Sequence, residues 1–198
     1  LVIQPDDRIL VAGAFANYNG KPHGFVARLN SDGSLDESFK LDPQLTTHST
    51  NRFGGQGQTS SETTVHSLAL QSDGKLVVAI TFGDFVKFPD GGSAAAWDTV
   101  IARVHPSGSQ DAGFRTVQAL TFGLNLDLAI QSDGSVLVAG DFGFLNEMGR
   151  FEPRYLVRLT PGGVLDTSFQ PKLTQAILAV AVQSDDAILA GGYHLTGI

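Results

Sequence analysis

The chain has 198 residues, of which 42% are hydrophobic and 17% charged, a composition that indicates a globular protein and excludes a disordered one. Twenty acidic residues against thirteen basic ones give a net charge of −7, which would repel nucleic acid or an anionic membrane. There is no cysteine, so disulfides and thiolate metal sites are excluded.

The first segment, "LVIQPDDRILVAGAF" (1–15), places the letters QPDD between two apolar runs. A common three-residue hairpin loop consists of a type I turn followed by one residue in the left-handed conformation. Pro5 suits the first turn position because its φ is already fixed, and Asp7 tolerates the left-handed position. The segment therefore predicts an antiparallel hairpin that turns at 4–7.

The next segment, "VARLNSDGSLDESF" (26–39), predicts a second hairpin that turns at 31–33, with Gly33 in the left-handed position. This register places Arg28 opposite Asp36. Opposite charges on facing strands stabilise a hairpin by about 0.2–1 kcal/mol when they are exposed. We interpret the pair as structural, since a functional site seldom recurs identically in every repeat of an array.

Both hairpins recur along the chain. The first returns as "QSDG" at 71–74 and 131–134 and as "QSDD" at 183–186; the second returns as "IARVHPSGSQDAGF" (101–114) and "LVRLTPGGVLDTSF" (156–169). The structural pairs are therefore Arg28 with Asp36, Arg103 with Asp111, and Arg158 with Asp166. The pattern predicts turns at 4–7, 31–33, 71–74, 106–108, 131–134, 161–163 and 183–186.

Two hairpins make four antiparallel strands, and four strands per roughly 50–65 residues are the blade of a β-propeller. We predict an all-β chain of about three and a half blades, at 1–44, 65–116 and 124–170 with a half blade at 176–198. Propellers usually close with about four to eight blades. We therefore expect this chain to be part of a larger closed ring, completed by the remaining blades of a parent chain or by a partner chain.

The repeat resembles the bacterial delta-60 repeat family, through "QSDGK" (71–75) and "ARLNSDGSLDESF" (27–39), with both halves again in 124–170. The resemblance covers nearly the whole chain apart from the longer loops. It implies β-propeller repeats within a large secreted or surface protein of bacteria, and hence an extracellular or cell-surface location. Asp7 and Asp186 occupy the position that is glycine in the first-hairpin turns of the other repeats. His194 occupies the position that is an aromatic residue in those repeats.

Ligand binding is expected where the repeats differ, because loops on a rigid scaffold commonly carry function. We predict that the insertion loop 45–64 and the segment 83–98 are the most mobile or most exposed segments of the chain. Aromatic side chains in or near the variable segments suit stacking on a glycan or a protein ligand, although local packing of the blade ends is the alternative. These candidate ligand-binding residues are Tyr18, Phe85, Phe88, Trp97, Phe144 and Phe151.

No catalytic, metal or cofactor motif is found. The five histidines lack a compact metal spacing, there is no G-x-S-x-G elbow, and the glycine-rich stretch 53–61 lacks the lysine of a phosphate loop. "NSDGSLD" (30–36) is similar to the start of a calcium loop. Its equivalents in the other repeats lose oxygen donors while keeping the turn, so we predict no metal there.

The sequence leaves two functions open. The first is a non-catalytic scaffold or adhesion module that binds protein or glycan through its variable loops. The second is a propeller hydrolase or lyase whose site is assembled in the central channel from several blades, since fold alone does not determine function. Its first candidate residues would be Asp84, Asp98, Asp141 and His194.

Overall fold

A computed structural model describes residues 1–46, 58–87, 91–115, 117–145 and 150–192. In these ranges every regular element is a β-strand except one 3-10 turn, Pro43–Leu45, which confirms the predicted all-β class. The strands are β1 (Val2–Ile3), β2 (Ile9–Ala12), β3 (Asn17–Tyr18), β4 (Lys21–Pro22), β5 (Val26–Leu29), β6 (Gln58–Leu70), β7 (Leu76–Lys87), β8 (Ser93–Val104), β9 (Val117–Ile130), β10 (Val136–Leu145), β11 (Phe151–Leu159), β12 (Ile177–Val182) and β13 (Ile188–Gly192). None of the described residues forms a helix of the length and hydropathy needed to cross a membrane.

The strands form successive antiparallel blades. β1, β2 and β5 lie side by side in the first blade, β6, β7 and β8 in the second, and β9, β10 and β11 in the third. β12 and β13 form a further two-stranded hairpin. The fourth strand of each complete blade is reduced to a single antiparallel bridge, namely Leu29↔Leu35, Val104↔Gln110 or Leu159↔Leu165.

All seven predicted hairpin turns are present. In each turn the amide of the left-handed residue donates to the carbonyl three residues before it, as from Gly74 to Gln71 at 3.0 Å. The φ angles at this position run from 63° at Asp7 to 95° at Gly108. The left-handed residues are Asp7, Gly33, Gly74, Gly108, Gly134, Gly163 and Asp186, as the sequence predicts.

The middle strand of a blade is buried on both faces. On β7, Leu76 and Val78 pack in the cluster shared with the first blade, whereas Val77 and Ala79 pack in the cluster shared with the third. On β10, Val138 packs in the cluster shared with the second blade, whereas Leu137 packs in the cluster shared with the β12–β13 hairpin. Successive side chains of a strand point to opposite faces, so burial between two neighbours requires a continuous apolar run.

The prediction that 83–98 is among the most exposed segments is wrong for the strand residues Gly83 and Asp98, which are buried. β7 and β8 pair along their whole length, from Leu76↔Val104 to Lys87↔Ser93. Gly83 lies directly opposite Trp97, and a Cβ added at Gly83 would come within 2.4 Å of the indole ring. The aromatic ring therefore covers the glycine, which compensates for its weak strand propensity.

Two further features differ from the expected loops. Residues 58–64 belong to β6 rather than to the predicted insertion loop 45–64, while 47–57 lie outside the described residues. In addition, β8 pairs with β9 through Asp98↔Thr121 and Thr99↔Leu120, so the second and third blades share one six-stranded sheet. The blade limits inferred from the sequence remain a prediction.

Candidate functional site

Each complete blade contains three interacting residues at fixed spacing, here called the Arg–Asp–Phe unit. In all three units the arginine Nε donates to the aspartate Oδ2 at 2.8 Å. The guanidinium carbon also lies 4.8–5.2 Å from the centroid of the phenylalanine ring, a favourable cation–π distance. The units are Arg28, Asp36 and Phe39; Arg103, Asp111 and Phe114; and Arg158, Asp166 and Phe169.

The second aspartate oxygen holds the backbone just downstream. Oδ1 of Asp166 accepts from the amide of Ser168 at 2.9 Å and from its hydroxyl at 2.6 Å. Oδ1 of Asp36 accepts in the same way from Ser38, and Oδ1 of Asp111 accepts from the Gly113 amide at 2.8 Å. Each carboxylate thereby joins its arginine to the turn that leads into the phenylalanine.

These contacts lower the pKa of all three carboxyl groups. The hydroxyl of Ser168, followed by Arg158, lowers the pKa of Asp166 to about 2. Burial by itself would raise the pKa of Asp111, but the Gly113 amide and the cations of Lys75 and Arg103 outweigh it and lower the pKa to about 2. The pKa of Asp36 is held well below its usual range, chiefly by the Ser38 hydroxyl. All three therefore stay ionised at neutral pH.

The pairs are less exposed than the sequence analysis expects. The side chains of Arg28 and Asp36 are 6% and 12% exposed, whereas those of Arg158 and Asp166 are 29% and 21% exposed. A charge pair that is largely buried costs much more to break than a surface pair, because the remaining charge loses its partner away from water. The value of about 0.2–1 kcal/mol for exposed pairs therefore understates the cost of breaking the Arg28–Asp36 pair.

The arginine of one unit also reaches the next blade. Nη1 of Arg28 donates to the backbone oxygen of Pro106 at 2.6 Å, and Nη1 of Arg103 donates to that of Pro161 at 2.8 Å. Both prolines occupy the same position of the second-hairpin turn. The sequence offers no signal for this contact, since every residue has a backbone carbonyl.

The backbone amides that follow Phe39 and Phe114 reinforce this junction. The amide of Lys40 donates to the carbonyl of Ser107 at 2.9 Å, and that of Arg115 donates to the carbonyl of Gly162 at 2.7 Å. The turn glycine leaves room for this segment, because a Cβ on Gly108 would lie 2.1 Å from the oxygen of Lys40. The glycine of the turn thus permits both a positive φ and the close approach of the preceding blade.

The first-hairpin turns of the second, third and fourth repeats meet in a depression of about 610 Å³. Nε2 of Gln71 lies 3.4 Å from the carbonyl oxygen of Gly134. Asp186 accepts from the amide of Ser132 at 2.9 Å and from its hydroxyl, and this hydroxyl lowers the pKa of Asp186. The aspartate that replaces glycine in the last turn therefore contacts the preceding blade.

Asp127 joins three neighbouring inner strands, a role that sequence reasoning missed. Its Oδ1 accepts from the hydroxyl of Ser67 at 3.0 Å, and its Oδ2 accepts from the amide of Val180 at 2.9 Å. These atoms belong to β6, β9 and β12. The equivalent positions in the other repeats are serine and alanine, so the repeat pattern gives no signal for the carboxylate.

The candidate ligand-binding aromatic residues lie in several environments. The Tyr18 hydroxyl donates to the carbonyl of Gly33 at 2.7 Å, and the rings of Phe85 and Trp97 meet edge to face at 5.1 Å. Phe144 is half-buried against the core between the second and third blades. Phe151 is 42% exposed and its ring lies against Gly143. Phe88 lies outside the described residues.

Of the four candidate residues of the enzyme alternative, the structure describes the side chains of Asp98 and Asp141. Asp98 is buried on β8 and Asp141 is exposed on β10. Asp84 lies in β7, but its side chain is outside the described part of the structure. The whole of His194 is also outside the described residues. Within the described ranges, no three histidine or acidic side chains are grouped closely enough to hold a metal ion.

The sequence matches the family described as "Domain of unknown function (DUF5122) beta-propeller" over residues 4–39, 71–114 and 131–169. The chain belongs to the DUF5122 β-propeller family. The resemblance to delta-60 repeats is thereby confirmed. Each matched segment begins at the glutamine of the first hairpin and ends at the phenylalanine of an Arg–Asp–Phe unit, so the DUF5122 repeat and the structural unit coincide. No match was found among curated proteins.

Proposed function

We propose that this DUF5122 chain is a non-catalytic scaffold of a larger bacterial secreted or cell-surface protein, which binds protein or glycan through the variable segments between its strands. The observation that carries the proposal is that the recurring arginine and aspartate side chains bond to each other and to the next blade. Arg28 and Arg103 bond an aspartate of their own blade and a carbonyl of the next blade at once. Side chains held in this way supply a fixed geometry between blades, which is the property required of a scaffold.

Binding is assigned to the segments that differ between blades. The β7–β8 and β10–β11 hairpins extend beyond the parts of the blades that repeat, and both carry aromatic residues. Among the described candidates Phe151 has the most exposed side chain, and it lies at the start of β11. An exposed aromatic ring on a paired strand is suited to stacking on a sugar ring or packing against an apolar side chain.

The test is a glycan array, together with surface and matrix proteins, probed with the full chain and with Phe151→Ala. We expect saturable binding of at least one ligand, weakened at least about tenfold in the variant when both proteins are assayed well below their melting temperatures. Val164→Ala is the matched control, since Val164 is 46% exposed but directly follows a turn that recurs in every blade. Absence of any binding, or equal binding by Phe151→Ala, would contradict the proposal.

A further inference from the structure

The small β3–β4 hairpin of the first blade turns at Asn19 and Gly20, where asparagine is directly followed by glycine. The φ angles of 46° at Asn19 and 77° at Gly20 are those of a type I′ turn between the paired residues Tyr18 and Lys21. Both turn residues are exposed. Glycine has no side chain, so its backbone nitrogen is open to approach by the preceding carboxamide. The turn therefore places together the two groups that form a cyclic imide.

Neither of these two groups is engaged elsewhere in the described part of the chain. The Gly20 amide donates to no acceptor there, and the Asn19 carboxamide has no hydrogen-bond partner. A Cβ added at Gly20 would meet no atom within 4 Å, so water and hydroxide have free access to the turn. The nitrogen and the carboxamide can therefore react without first breaking a hydrogen bond.

Aspartate followed by glycine can form the same imide, but the repeated turns hold both groups in place. In three such turns the glycine amide donates to the carbonyl three residues earlier at 2.9–3.0 Å. The carboxylate of each accepts from the amide two residues later at 2.8–3.1 Å. These pairs are Asp32–Gly33, Asp73–Gly74 and Asp133–Gly134. Both hydrogen bonds must open before an imide can form, so folding protects these pairs and leaves Asn19 unprotected.

We propose that Asn19 is a site of spontaneous deamidation in the folded protein. Hydroxide removes the proton of the Gly20 amide, and the nitrogen attacks Cγ of Asn19. The new N–Cγ bond replaces the Cγ–Nδ2 bond, and Nδ2 takes up a proton from water and leaves as ammonia. Water then opens the cyclic imide at one of its two carbonyls, which leaves aspartate or isoaspartate at position 19. Water is the co-reactant, and no oxidant or reductant is consumed.

The reaction changes how the β3–β4 hairpin is attached to the first blade. The Tyr18 hydroxyl donates to the carbonyl of Gly33 at 2.7 Å, and Lys21 pairs with Glu37. Isoaspartate routes the main chain through its Cβ and so lengthens a two-residue loop, whose length fixes the register Tyr18↔Lys21. The modified hairpin therefore releases the Tyr18 hydroxyl from Gly33. Tyr18 is a candidate ligand-binding residue, but the modification does not depend on the proposed function.

The experiment incubates the full chain in mildly alkaline buffer, with and without urea, and follows each site by proteolysis and mass spectrometry. Isoaspartate is quantified with an isoaspartate-specific methyltransferase, and digestion at acidic pH limits reaction during handling. We expect Asn19 to be converted to aspartate and isoaspartate at rates that agree within about threefold in the folded and unfolded chain. The three Asp–Gly pairs should isomerise at least about tenfold more slowly in the folded chain than in urea, because their turns must open first.

A matched variant separates the modification from other changes on incubation. Asn19→Gln keeps a carboxamide at the turn, but its longer side chain would have to close a larger and less favourable ring. In the native chain the amide resonances of Tyr18, Lys21 and Gly33 should shift as Asn19 is lost, whereas in Asn19→Gln they should stay constant. The proposal is overturned if folding protects Asn19 as strongly as the Asp–Gly pairs, or if these resonances shift equally in Asn19→Gln.

Discussion

Nη1 of Arg28 in the first blade donates to the backbone oxygen of Pro106 in the second, 78 residues away in sequence, at 2.6 Å. Nε of the same guanidinium donates to Asp36 of its own blade at 2.8 Å. One planar group thus fixes both the hairpin that carries it and the position of the next hairpin. Arg103 repeats this arrangement with Asp111 and Pro161.

Arg103→Lys should destabilise the chain although it retains the charge. A single ammonium on a flexible stem cannot reproduce the fork that reaches Asp111 and Pro161 together. We expect the free energy of unfolding, measured by urea denaturation, to fall by about 1–3 kcal/mol. Lys21→Ala is the control, because the Lys21–Glu37 pair is mostly exposed and should contribute less than about 1 kcal/mol. Equal losses in the two variants would contradict the role given to Arg103.

Gly108→Ala and Gly33→Ala should differ in their effect. Both positions have positive φ, which costs a non-glycine residue about 1–2 kcal/mol. At Gly108 the added Cβ would also lie 2.1 Å from the Lys40 oxygen, whereas at Gly33 no atom lies within 4 Å. We therefore expect Gly108→Ala to lower the melting temperature clearly more than Gly33→Ala. Indistinguishable melting curves would show that the first blade does not press on the second turn.

Acid should weaken the array through the Arg–Asp–Phe units. The folded pKa values of Asp111 and Asp166 are lowered from 3.8 to about 2, so the unfolded chain binds more protons between these values. Their stabilisation is present above about pH 4 and is lost as the pH falls towards 2. The difference in unfolding free energy between the native chain and Asp111→Asn should shrink over this interval. A difference that stays constant from pH 6 to pH 2.5 would contradict the ionised pair.

Gly83 and Trp97 should be energetically coupled. A Cβ on Gly83 would meet three atoms of the indole ring at 2.4–2.9 Å, so Gly83→Ala should displace the ring and destabilise the β7–β8 pairing. In Trp97→Ala the clash is gone and the added methyl group should be tolerated. A double-mutant cycle on unfolding free energies should give a coupling of about 0.5–3 kcal/mol. Additive effects would mean that the ring does not lie over Gly83.

The hairpin turns could be predicted because their determinants are local. A residue that tolerates positive φ, three residues after the start of the turn, identifies each of them, and even Asp7 and Asp186 fit. The contact of Arg28 with Asp36 follows from the same register. The apolar runs are typical of strands that are buried on both faces. They do not show which neighbouring blade covers each face.

The extended β7–β8 hairpin and the contacts between blades could not be predicted from the same information. Pro89, Asp90 and the glycines around them are typical of loops, and the pairing of Gly83 with Trp97 depends on a ring placed from the facing strand. The acceptor of the Arg28 guanidinium is a backbone carbonyl in another repeat. Such an acceptor is chemically identical at every position, so only the folded arrangement reveals it.

Amide hydrogen exchange, followed residue by residue by NMR, tests most directly whether the Arg–Asp–Phe units of the first and second blades hold the blade that follows them. The amides of Lys40 and Arg115 lie outside the strands but donate to turn carbonyls of the next blade at 2.9 and 2.7 Å. We expect them to exchange slowly, with protection close to that of the core strands. The amide of Gln170, at the same place in the third unit, should exchange rapidly. Rapid exchange at Lys40 and Arg115, equal to that at Gln170, would contradict the proposed junction between blades.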